Sequence, residues 1–163
     1  MIGIYKGKRY VADYTFGKAV VTIYSYEKEM GFENAISPWG KVYDDYFSKQ
    51  VIATELDYLY ELSYELKYRG LWFYLTSSLN TNTISKELFV IGLDYFGSEA
   101  IELAEELGFE RPDKFYFTKK IYRKDIEALK VIESPQGIFS SQGKKETILE
   151  GQAIDDYFAS ITD

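Results

Sequence analysis

The stretch Thr54–Gly70, TELDYLYELSYELKYRG, constrains the fold more than any other part of the chain. It is long, it is free of proline, and its apolar residues recur at helical spacing. At 100° per residue, Leu56, Leu59, Leu62, Ser63 and Leu66 share one side and predict a helix packed on a core. Thr54 is placed to cap its start, with Asp57 near the first-turn amides. Arg69 and Gly70 supply a cation and a left-handed residue at its end. On the other side this helix carries Asp57, Tyr60, Glu61, Tyr64, Glu65 and Tyr68. Tyrosines thus alternate with carboxylates where an ordinary solvated helix carries Lys and Glu.

Around this helix the sequence predicts an α+β domain spanning residues 1–163: an N-terminal β-meander in an antiparallel or mixed sheet, packed with three to four helices. Ile2–Lys6, Arg9–Phe16 and Ala19–Tyr26 read as strands, rich in Val, Ile, Thr and Tyr and separated by the turn candidates Gly7-Lys8 and Gly17-Lys18. The cations Lys6, Lys8, Arg9 and Lys18 protect these edges from pairing. Residues 27–40 read as a loop broken by Gly31, Pro38 and Gly40, with Trp39 on a Pro-Trp-Gly turn. A short strand at Gln50–Thr54 leads into the helix. LWFYLTS after Gly70 and ELFVIGL from Glu87 are apolar enough to be buried strands, and Asn80–Thr83 is a polar loop between them. SEAIELAEEL, from Ser98, is an amphipathic helix ended by Gly108. Phe115–Tyr122 is a strand, Asp125–Ile132 a short helix, and Ser134–Lys145 a loop. Ile154, Tyr157, Phe158 and Ile161 stand at i, i+3, i+4, i+7 and predict a terminal helix.

The composition excludes several chemistries. The chain has no cysteine and no histidine. A disulfide framework, a thiol nucleophile, a Cys/His zinc site and a histidine acid–base step are therefore all ruled out. No phosphate loop, dinucleotide fingerprint or EF-hand pattern is present, and the reading includes neither a cofactor nor a metal. The net charge of −7 disfavours nucleic acid and anionic membrane surfaces and favours basic partners. No apolar run reaches the length of a membrane span, and the N-terminus lacks a signal-peptide core. The expected compartment is the cytoplasm.

Three function classes remain. The first is protein binding through the Tyr-acid face formed by Asp57, Tyr60, Glu61, Tyr64, Glu65 and Tyr68. Tyrosines pack and hydrogen-bond as anchors, and carboxylates steer encounter with a basic partner. The second is nucleic-acid association through the basic-aromatic strand 114–124, using Tyr116, Lys120, Tyr122 and Lys124. Residues 114–145 carry eight bases and three acids inside an acidic chain. The third is a small carboxylate-dependent enzyme. Its candidate pairs are Asp44-Asp45 and Asp155-Asp156, whose adjacent spacing does not converge on one substrate atom, and Glu61/Glu65. The last two share a helical face at i, i+4, whereas a glycosidase-like pair faces across a cleft from separate elements. The first class is favoured, and with it a protein that is not an enzyme. In its acidity and its Tyr-rich surface the chain resembles the small, acidic, cytoplasmic immunity proteins that bacteria pair with polymorphic or contact-dependent toxins. The resemblance implies an inhibitor that neutralises a cognate basic toxin by direct binding.

Overall fold

A computed structural model describes every residue except Phe16, Tyr95, Phe96, Phe115 and Asp163. The described residues form twelve strands: β1 Ile2–Tyr5, β2 Lys8–Tyr14, β3 Val20–Ser25, β4 Glu33–Ile36, β5 Val42–Ile52, β6 Tyr58–Tyr68, β7 Leu71–Leu75, β8 Leu88–Asp94, β9 Glu110–Asp113, β10 Tyr116–Tyr122, β11 Ala128–Pro135 and β12 Lys145–Glu150. Three short helices accompany them: α1 Thr81–Ser85, α2 Ser98–Glu106 and α3 Gln152–Ala159. Hydrogen bonds link the strands in the order β4-β5-β3-β2-β1-β6-β7-β8-β10-β9, while β11 pairs with β6 and β12. The expected α+β domain with three to four helices packed on a meander is therefore corrected to a mainly antiparallel β protein.

The largest correction is at Thr54–Gly70. A 3-10 turn at Ala53–Glu55 leads into β6, an eleven-residue strand, where a helix was predicted. From Tyr58 onward the even positions read Tyr, Tyr, Leu, Tyr, Leu, Tyr. That period of two, in residues that suit a pleated surface, prevails over the leucine spacing. The closing Arg69-Gly70 also has a different role. Both residues have positive φ, 48° and 78°, and Tyr68 pairs directly with Leu71. This is the two-residue hairpin geometry whose twist matches the flanking strands. Lys6-Gly7, with φ of 51° and 74° between Tyr5 and Lys8, repeats it one residue earlier than the expected Gly7-Lys8 turn.

Smaller corrections follow the same preference for strand. Residues 125–132 form a 3-10 turn at Arg123–Asp125 and then β11, in place of a helix. The segment before the predicted helix is the long strand β5, and the expected loop 27–40 contains β4. The expected loop 134–145 contains a 3-10 turn at Gly137–Gln142. The expected polar loop at 80–83 opens α1, where Asn80 Oδ1 accepts from the Thr83 amide at 2.9 Å. The strands β1 to β3, β7, β8 and β10 and the helices α2 and α3 lie where the sequence places them, although Phe16 and Phe115 fall outside the described residues.

The chain divides into two compact units. Unit 1 comprises residues 1–62 and 133–145, and unit 2 residues 63–132 and 146–163. In unit 1 the sheet turns Tyr10, Ala12, Val21, Ile23, Phe47 and Val51 to a core completed by Phe32, Leu56 and Leu59. In unit 2 it turns Leu66, Phe73, Phe89, Ile91, Phe117 and Ile121 inward. Phe158 of α3 stacks on Phe89 at 5.3 Å, and Phe109, beyond α2, packs on Phe73 at 5.1 Å.

Candidate functional site

The residues expected to form one Tyr-acid face are separated by strand geometry. In β6 Tyr60, Tyr64 and Tyr68 are even, whereas Glu61 and Glu65 are odd, so the rings and the carboxylates leave the strand in opposite directions. Tyr60 and Tyr68 are buried. The Tyr64 hydroxyl lies 3.1 Å from the Tyr157 hydroxyl of α3. Glu65 accepts from Lys130 Nζ at 2.5 Å, and Glu61 is exposed. Asp57 precedes the strand, and its carboxylate accepts from the Gly7 amide at 2.8 Å, closing the β1–β2 turn. The expected stripe does not exist as a surface.

The basic-aromatic set does gather on a surface. Tyr116, Lys120 and Tyr122 point to the same side of β10 and are exposed, and Lys124 is exposed in the following turn. Their cross-strand neighbours are mixed in charge. Asp94 and Asp113 flank Tyr116, and Glu110 stands opposite Thr118. Nearby, Lys130 sits 4.6 Å over the Trp72 ring while bound to Glu65. Tyr74 lies across Gly92, where a Cβ would approach its ring to 2.4 Å. Its hydroxyl donates to Asp94 at 2.9 Å. Burial, reinforced by that bond, pushes the Tyr74 hydroxyl up to about 12. Its lysines thus stand among acids, a mixed charge that weakens attraction to a polyanion.

A third surface, missed by the sequence reading, lies on unit 1. The strands β2, β3 and β5 pair with Val11 opposite Tyr24, Tyr24 opposite Ser48, and Val20 opposite Ile52. These side chains share the side away from Val21 and Ile23, which are fully buried. An antiparallel sheet with one wet face normally makes that face polar. Here Val11, Val20 and Ile52 are exposed, and tyrosines occupy the centre. Tyr46 is the hub. Tyr24 stacks on it at 5.4 Å with ring planes 5° apart, Tyr26 leans on it at 4.9 Å, and Tyr43 meets it edge-on at 6.3 Å. A β-bulge brings Tyr43 to the group: Asn34 pairs with Phe47 but Ile36 with Val42, so β5 has extra residues opposite β4. Burial raises the Tyr46 hydroxyl above its ordinary value, helped by Tyr26 and Tyr24; burial and then the charge of Asp13 raise Tyr24. Tyr26, by contrast, is 70% exposed.

Acids lie on this face and next to it in sequence. Asp44 and Asp45 precede Tyr46, Glu33 pairs with Ser48, and Asp13 acts on Tyr24. All four are exposed, and among the described residues none enters a salt bridge. Lys41 Nζ lies 5.4 Å over the Tyr43 ring. The loop beyond Tyr26 is held by Glu29, which accepts from Lys8 Nζ at 2.7 Å, Tyr10 Oη at 2.8 Å and Ser25 Oγ at 3.0 Å. The Lys8 bond holds the Glu29 carboxyl below its ordinary value despite partial burial, with Tyr10 and Ser25 adding to the effect. Trp39, on the 37–41 turn, is 89% exposed. The alternation of residues 20–26 already placed Tyr24 and Tyr26 on one side. Tyr43 and Tyr46 could not be added without the bulge.

Among the described residues no three acids are placed to hold a metal ion. Among the described residues no helix is long and apolar enough to cross a membrane. The candidate enzyme pairs are dispersed, and Asp155 is taken up by Arg123 at 2.6 Å.

Fold and site together define a mainly antiparallel β protein with an uncovered aromatic sheet face. The chain belongs to the family described as Uncharacterised conserved protein UCP033725, whose model matches residues 1–137. That span runs through β11 and stops short of β12 and α3. No curated protein and no solved structure matches the chain.

Proposed function

We propose that this chain is a cytoplasmic protein-binding inhibitor that docks a basic partner on the outer sheet face of unit 1, as bacterial immunity proteins neutralise their toxins. One observation carries the reading. Tyr24, Tyr26, Tyr43 and Tyr46 are in ring contact on a sheet face that leaves Tyr26 mostly exposed. Leaving such rings in water forgoes burial worth about 1.5–3 kcal/mol for a large side chain. Tyrosine suits a binding surface because it offers contact area with few rotatable bonds. Asp13, Glu33, Asp44 and Asp45, in no salt bridge among the described residues, select for positive charge, and the net charge of −7 steers such a partner in.

The test is co-expression with the product of the neighbouring reading frame, followed by affinity measurement on the purified complex. Tyr46→Ala is expected to weaken the complex by about 2 kcal/mol or more, as a central anchor does. Asp44→Asn with Asp45→Asn is expected mainly to slow association and flatten its salt dependence. A complex indifferent to Tyr46→Ala and to both aspartate changes rejects this face as the interface.

A further inference from the structure

We infer that the tyrosine cluster recognises arginine side chains of the partner in particular; this rests on the basic-partner reading and names the chemistry that the face selects. The ring of Tyr46 has its neighbours stacked, tilted and edge-on around it, and Tyr26 presents an open ring face at its margin. A planar guanidinium lies flat on such a face. It keeps its in-plane N–H groups free for carboxylates and loses less hydration than an ammonium. Carboxylates share this face: Glu33 pairs with Ser48, which itself pairs with Tyr24, and Asp13 is close enough to act on Tyr24.

One ring of the cluster already carries a cation, though an ammonium: Lys41 Nζ stands 5.4 Å over Tyr43. That lysine lies at the Tyr43 margin, whereas no described cation lies over Tyr24, Tyr26 or Tyr46. An ammonium is a strongly hydrated point charge and gains less from a flat ring than a guanidinium does. The face therefore discriminates between two cations of equal charge.

The experiment titrates the full chain with a short oligo-arginine peptide and with an oligo-lysine peptide of the same length, reading affinity and the NMR shifts that move. Arginine is expected to bind about tenfold tighter than lysine, with shifts centred on β3 and β5. Tyr26→Leu is expected to abolish that preference and Tyr26→Phe to retain it. A melting curve confirms that each variant is folded. Asp44→Asn is expected to weaken both peptides alike. Equal affinities overturn the arginine inference and leave the basic-partner reading standing. Binding of neither peptide overturns both. Shifts centred on Glu99–Glu106 of α2 locate the binding on the acidic helix and overturn the inference.

Discussion

Unit 1 covers its core with chain that has little regular structure: Phe32 from a loop, Leu56 from the end of a 3-10 turn and Phe139 from another. Unit 2 uses helices, with Ala104 of α2 and Ile154 and Phe158 of α3 buried. The helices bring their own polar faces, Glu99, Glu102, Glu105 and Glu106 on α2 and Asp155 and Asp156 on α3. Unit 2 accordingly carries sixteen acidic and ten basic residues, against ten and nine in unit 1. Almost all the net charge belongs to the unit with the helices, and the tyrosine cluster belongs to the other. A nearly neutral unit gains little solubility from exposing Val11, Tyr26 and Ile52. On the outer face of unit 1 exposed apolar side chains come with little net charge, whereas the exposed Leu71, Tyr116, Tyr122 and Ile148 belong to the unit that carries most of it.

The contrast can be broken first at α3. Phe158→Ala removes the ring stacked on Phe89, and the expected cost is about 3–5 kcal/mol, as for an aromatic deleted from a core. Chemical denaturation measures it, and hydrogen exchange should quicken in β8. A change below about 1 kcal/mol would mean that the helix does not roof unit 2.

A middle-sized effect is expected within the sheet of unit 2. Gly92→Ala drives a Cβ to 2.4 Å from the Tyr74 ring and 2.6 Å from Thr76 Cγ2. Tyr74 is tethered to Asp94, so the ring does not yield freely, and overpacking of this kind costs about 1–3 kcal/mol. Spectrophotometric titration gives an independent reading. A Tyr whose folded-state value is raised is stabilised in its neutral form, and that stabilisation is lost as pH climbs through the raised value. One tyrosine should therefore resist ionisation until about 12 in the parent chain and lose that resistance in Gly92→Ala.

The smallest effect is expected at Glu29, on the loop that borders the tyrosine cluster. Its carboxyl is depressed in the folded state, so its contribution is present above the ordinary value of 4.5 and fades as pH falls through the lowered one. Glu29→Gln should lower the denaturation midpoint near neutral pH, and the gap from the parent should narrow below 4.5. A gap independent of pH would show that the Lys8, Tyr10 and Ser25 bonds to Glu29 contribute nothing to stability through its charge.

Much of the fold was legible locally. Alternation in Ala19–Tyr26 and in Phe117–Ile121, the amphipathic pattern of α2 and the i, i+3, i+4, i+7 set of α3 each specify one period, and each element forms where that period lies. Thr54–Gly70 did not, because two periods coexist in it. Leu56 and Leu59 enter the core of unit 1 and Leu66 enters that of unit 2, so β6 serves one core with an odd-numbered leucine and the other with an even-numbered one. Leucines that change parity along a strand fall at spacings of three and four, the signature of a helix. The candidate site failed for a related reason. Tyrosines among carboxylates were sought on a helical wheel that does not exist, and the alternation of β6 parts them.

By itself the sequence determined what chemistry is absent, since a chain without cysteine or histidine has no thiol or imidazole in any conformation. It also determined the acidity and those elements whose periodicity is unambiguous, because both depend only on residues near one another in the chain. Tertiary structure alone decided that β6 is a strand and that Tyr24, Tyr26, Tyr43 and Tyr46 meet. Cross-strand register and a bulge bring these rings together, and both are set by pairing between separate strands, β3 with β5 and β4 with β5, which no pattern within one strand encodes.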